Sequence, residues 1–111
     1  MQYKTCISAL TLLLSAAAAH GQVLKLPPDT SFSGGDGSSV EQAILVKNAA
    51  DEGAGVASEY AWLRSHYPGM SRKSQGLLEK DGRVYDKFEI ILTSGEAKTV
   101  FFDITDFFGK F

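Results

Sequence analysis

From Ala43 onward the chain alternates between stretches with two different apolar periods. The run Ala43-Ile44-Leu45-Val46 is short, apolar and rich in β-branched residues, which predicts a strand. Val56, Tyr60, Leu63 and Tyr67 then recur at i, i+4, i+7 and i+11, one stripe of a 3.6-residue period. This spacing predicts a helix over about 51 to 67. Gly53 and Gly55 weaken its first turn by about 1 kcal/mol each relative to Ala, and Pro68-Gly69 stops it. Beyond Gly69 the period changes to two, with turn signals at Asp81-Gly82 and Ser94-Gly95. Strands are expected near 74 to 80, 84 to 93 and 97 to 105, joined as an antiparallel meander.

In the last hairpin, pairing Thr93 with Ala97 sets Ile90 opposite Val100 and Phe88 opposite Phe102 on one face, with Lys87 opposite Asp103 on the other. A two-residue loop at Gly95-Glu96 would place Glu89 opposite Phe102, a charge against an aromatic, and is rejected. The resulting expectation is an α+β domain, one helix packed on an antiparallel sheet of about four strands in the order β-α-β-β-β. Val56, Tyr60, Leu63, Phe88, Ile90, Val100, Phe102 and Ile104 form its predicted core. Tyr85, Ile91 and Phe101 alternate onto the opposite sheet face, and Trp62 falls about 100° from Leu63 around the helix. The tail Asp106 to Phe111 holds three Phe in six residues and is expected to fold back over that second face; the alternative is that the face stays an exposed apolar patch that marks a partner surface.

The first residues follow another logic. Lys4, the apolar run Ile7 to Leu14 and the small residues Ser15 to Ala19 read in order as a secretory signal peptide over 1 to 19. Ala17 and Ala19 fit an A-x-A site, with cleavage before His20 expected first and after Gly21 second. The apolar run is shorter than the roughly 18 residues of a spanning helix, and Cys6 precedes it, so neither a membrane anchor nor a lipid anchor is expected. Removing the leader removes the only cysteine, which leaves no disulfide and no transmembrane segment. Residues 20 to 39, with Pro27-Pro28 and Ser33 to Ser39, read as an extended lead-in, followed by the domain over 40 to 111. Ser38 with Glu41 three residues later fits a capping box for one helical turn. The expected location is the periplasm or the medium.

Composition narrows the chemistry. With 11 Lys plus Arg against 13 Asp plus Glu, a net charge of -2 leaves no basic balance for nucleic acid. One cysteine and two histidines give no zinc set, so no metal or cofactor is expected. The segment Gly34-Gly35-Asp36-Gly37-Ser38-Ser39 has the backbone freedom to cradle an ion, and Asp36, Ser38 and Ser39 are its candidates. It lacks the Lys of a phosphate loop and the carboxylates of a calcium loop. Ser38 or Ser39 with His66 as base could be written as a hydrolase site, although nothing in their spacing supports it. Arg64, Arg72 and Lys73 flank the Pro68-Gly69 turn beside His66 as a small basic patch.

Gly34 to Ser39, Glu59 to Gly69 (EYAWLRSHYPG) and Phe101 to Gly109 (FFDITDFFG) resemble segments of a family of short exported bacterial proteins of unknown function. The resemblance spans nearly all of the chain after the leader. It implies export and carries no catalytic or binding residue across. The reading that fits best is a non-catalytic module, inhibitor- or immunity-like, that binds another envelope or secreted protein. Trp62, Arg64, His66, Tyr85 and Phe101 are its candidate contacts, because aromatic residues and Arg anchor interfaces. A small serine-dependent hydrolase and a structural envelope protein without a specific partner are the alternatives.

Overall fold

The computed structural model describes residues 29–111; the signal peptide expected over 1 to 19 and the first part of the expected lead-in lie outside them. One helix and a five-stranded mixed sheet make an α+β domain. Strand β1 is Ser31–Gly34, β2 Ile44–Lys47, helix α1 Glu52–His66, β3 Ser71–Lys80, β4 Arg83–Ile91 and β5 Ala97–Asp103. Across the sheet the order is β1-β2-β5-β4-β3.

Two features correct the expected antiparallel sheet of about four strands. Ser31–Gly34, inside the lead-in, pairs antiparallel with β2 and adds a fifth strand. The meander then returns so that β5 lies beside β2 in parallel, with Ile44 opposite Phe102. A parallel pair needs a long crossover, which is supplied here by α1 and the β3–β4 hairpin.

The last hairpin is also shifted by two residues from the expected register. Phe88 faces Val100, Ile90 faces Lys98, and Tyr85 rather than Lys87 faces Asp103. Gly95 decides this. At φ 92° it takes the left-handed last position of the loop Thr93–Gly95, closed by the Leu92 N–H to the Glu96 carbonyl at 2.8 Å. The expected pairing had put Gly95 in mid-loop. A shift of two preserves the faces, so Phe88, Ile90, Val100 and Phe102 are buried together as expected.

Helix α1 begins where Asp51 caps it, its carboxylate accepting from the Ala54 N–H at 2.8 Å. Its buried stripe is turned relative to the expected one. Gly55, Ser58, Glu59, Ala61, Trp62 and Leu63 are buried, whereas Val56, Tyr60 and Tyr67 are only half-buried. Trp62, expected off the stripe, meets Phe102 edge-on at 5.5 Å between ring centroids, and Phe88 meets Phe102 at 5.6 Å. Gly55 has a packing reason: a Cβ there would lie 2.5 Å from Phe107 ring atoms. The tail therefore folds onto the helix side of the sheet, not over the second face. Its Lys110 carbonyl accepts from the Glu52 N–H at 2.8 Å.

Candidate functional site

Strand β3 ends the sheet, and its neighbour on one side is β4 alone. All ten of its residues are exposed, a contrast with β4, where Tyr85, Asp86, Phe88 and Ile90 are buried. The pairing shows which way each side chain leans. Gln75, Leu77 and Glu79 lie on the helix side, opposite Phe88, Asp86 and Val84, while Ser74, Gly76 and Leu78 lie on the far side. An irregularity between Arg72 and Ser74 leaves 74–80 as a regular, open edge. Leu77 is 62% exposed and Leu78 37%. Nothing lies within 4 Å of a Cβ built on Gly76.

The helix is short of this strand, so a groove of about 350 Å³ runs beside it, lined by Arg72 to Leu77 with Asp86. Arg72 reaches back across it to the Tyr60 hydroxyl at 2.8 Å. Further along, Leu77, Leu78, Glu79, Val84 and Phe108 enclose a hollow of about 320 Å³. Phe108 is 43% exposed. The strand is also polarised, with Arg72 and Lys73 at its start and Glu79 and then Asp81 at its end. Lys80 at that end is paired with Glu41 at 3.1 Å, which raises the lysine's pKa; the glutamate's is lowered first by its own backbone N–H and then by Lys80.

Behind the groove lies a second unusual group. Glu59 has no exposed surface, and neither carboxyl oxygen has a hydrogen-bond partner. Burial first, and then the neighbouring Asp86, push its pKa up to about 11, so it carries a proton at neutral pH. A protonated carboxyl beside a second carboxyl is an arrangement that acid–base chemistry uses. Asp86, however, is itself buried, and among the described residues no third His, Cys, Asp or Glu joins them as a metal set.

The residues singled out in the sequence are not brought together. Trp62, Arg64 and His66 belong to α1, whereas Tyr85 and Phe101 point from the opposite sheet face. Trp62 and Tyr85 are buried and Phe101 is half-buried, so Trp62 and Tyr85 lack the exposure that contact would require. His66 stacks on Trp62 at 3.8 Å, its Nδ1–H donating to the Trp62 carbonyl at 3.0 Å. Arg64 sits at 6.0 Å from the Tyr60 ring centroid.

In the Gly-rich loop, the Ser38 hydroxyl and N–H both donate to Asp36, at 2.6 and 3.0 Å, and hold that carboxyl below its ordinary pKa. The helical turn expected from Ser38 and Glu41 is a non-helical turn over 39–43, in which the Ser39 Oγ accepts the Gln42 N–H at 3.2 Å. Gly37 packs against Ile44 and Val100, and its carbonyl accepts the Phe101 N–H at 2.8 Å. The loop serines thus hydrogen-bond within their own loop, and His66 uses its Nδ1 within the helix.

Sequence reasoning missed Glu59 and the open edge of β3. A signal for Glu59 existed: Gly55, Glu59 and Trp62 have helical spacing, and that stripe passes through a charge. The openness of β3 had none, because it depends on where the helix lies. No protein-family model, no curated protein and no solved structure matches this chain.

Proposed function

We propose that this is a non-catalytic protein-binding module of the inhibitor or immunity kind, exported to the envelope or the medium, and that its binding element is the free edge of β3. The observation that carries the reading is a ten-residue edge strand with every residue exposed and two leucines in its middle. An unpaired edge offers a row of N–H and C=O groups that an added strand completes, with side-chain pockets giving selectivity. Natural edges are shortened, bulged or covered against this, and the span 74–80 has none of those protections. Export rests on the order of basic, apolar and small residues at the start of the chain and on the family resemblance. The hydrolase alternative lacks the nucleophile–base contact it needs: Ser38 and Ser39 hydrogen-bond within their loop, and His66 bonds only to the Trp62 carbonyl among the described residues.

The test is capture from envelope extract with the wild type and with a Leu77→Lys, Leu78→Lys double variant of equal helix and strand content by circular dichroism. A defined partner retained by the wild type and lost by the variant supports the reading. A partner held equally by both moves the binding element away from β3, and a folded wild type that takes up neither a foreign partner nor a second copy removes it.

A further inference from the structure

We infer that the strand received by the β3 edge is β3 of a second copy of this chain, paired antiparallel about a two-fold axis through Leu77. The inference rests on the reading of β3 as a binding edge and names its occupant. Three observations point to a second copy and to this register.

The first is charge. The strand is basic at its start, Arg72 and Lys73, and acidic at its end, Glu79 and Asp81, with Lys80 already neutralised by Glu41. Antiparallel self-pairing sets the basic end of each copy against the acidic end of the other, twice. Parallel pairing would set like against like. A two-fold interface requires self-complementarity of this kind.

The second is the pattern of side chains along 74–80. With Leu77 on the axis, it faces its own copy on the helix side, and Gln75 faces Glu79. On the far side Leu78 faces Gly76, where a side chain from across the edge finds open space. Moving the axis to Gly76 would put Gly76 against itself at the centre and set both leucines against polar residues, Leu77 against Gln75 and Leu78 against Ser74. Moving it to Leu78 would set Leu77 against Glu79 and bury a carboxylate beside a leucine. Of the three, the Leu77 axis alone sets leucine against leucine and leaves Leu78 facing the open space over Gly76.

The third is the surface beside the edge. The hollow between Leu77, Val84 and Phe108 opens next to the axis, with Leu77 and Phe108 exposed and Val84 half-buried in the single chain. A second copy's Leu77 lies at its mouth. Pairing would join the two sheets into one, with both edges of the junction removed from water.

The experiment is sedimentation over a range from low to high micromolar, on the wild type and Leu77→Lys, with thiol cross-linking as a register probe. The wild type is expected to show a monomer–dimer equilibrium. Leu77→Lys places two ammonium groups across the axis and weakens dimerisation at least about tenfold. In a Cys6→Ser background, Leu77→Cys should cross-link to a covalent dimer under mild oxidation, since directly opposed residues meet disulfide geometry. Leu78→Cys should not, because its symmetry mate lies diagonally and beyond reach.

A wild type that stays monomeric throughout overturns the inference. If that monomer still captures a foreign partner through β3, the binding-module reading survives alone; if it captures none, both fall. A dimer indifferent to Leu77→Lys, or one cross-linked by Leu78→Cys instead, also overturns it, by placing the contact elsewhere or in another register.

Discussion

Glu59 and Asp103 are both acids at the margin of the core, and their surroundings push them in opposite directions. Glu59 has no exposed surface and no hydrogen-bond partner, and its pKa rises to about 11. The folded chain therefore holds a proton that the unfolded chain releases above the ordinary glutamate value of 4.5. Between those values the unfolded state binds fewer protons, so stability falls with rising pH, by up to about 1.4 kcal/mol per unit for this one group. Glu59→Gln keeps the shape without the ionisation. It should be more stable than the wild type at pH 8 and nearly equal to it at pH 4.5, as urea melts at the two pH values would show. A wild type whose stability rises from pH 5 to 8 in parallel with the variant's would contradict the buried proton.

Asp103 is partly buried, which alone would raise its pKa. Arg83 at 2.6 Å and Thr105, whose hydroxyl and N–H donate at 2.7 and 3.1 Å, outweigh that and hold it below its ordinary value. Its contribution is present above the unfolded value of 3.8 and is lost as pH falls through the lower folded one. Asp103→Asn should cost about 1 to 2 kcal/mol at pH 7, discounted because Arg83 is half exposed, and the cost should vanish toward pH 2. Melts at the two pH values measure it. Neither acid's state was legible in the sequence. Glu59 looks like an ordinary surface residue until the rotation of α1 is known, and Asp103 was expected opposite Lys87, a register two residues away.

Elements were more legible than their contacts. Helix α1 runs from Glu52 to His66 against an expected 51 to 67, because Asp51 and Pro68-Gly69 are signals local to the chain. Its rotation depends on Phe107, 52 positions beyond Gly55, and no local pattern contains that. The two early glycines separate these cases. Gly53 is exposed, and a Cβ there meets only the Asp51 carboxylate at 3.5 Å; Gly53→Ala should stabilise by about 0.5 to 1 kcal/mol. Gly55→Ala gains the same helix propensity but drives a methyl into the Phe107 ring, and should cost about 1 to 3 kcal/mol net. Thermal melts of the pair decide the matter; equal shifts would mean that Phe107 does not sit on Gly55. The hairpin shows the same division, since Ser94-Gly95 announced a turn while the register awaited the position of the one residue able to take φ 92°.

At the scale of the molecule, alternation along β3, β4 and β5 gave the meander, but nothing local tells Ile44–Lys47 to lie parallel to β5. That pairing forms only after the chain has crossed α1 and returned through two hairpins, so its signal is the shared burial of Ile44, Val46, Val100 and Phe102. Phe102 stands where these parts meet. It has no exposed surface, faces Ile44 across the parallel junction, and touches the rings of Trp62 on the helix and Phe88 on β4. Phe102→Ala would remove one ring from three elements at once, leaving a cavity that neither the sheet backbone nor the helix can close, and should cost about 3 to 5 kcal/mol. For a domain of this size that approaches the entire stability. The measurement is urea unfolding followed by both tryptophan fluorescence and far-ultraviolet circular dichroism. Trp62 packs against the deleted ring, so the two signals should shift together and by the same amount. A fluorescence change without loss of stability would mean that the Phe102 ring is only a neighbour of Trp62 and not the link between helix, parallel junction and meander.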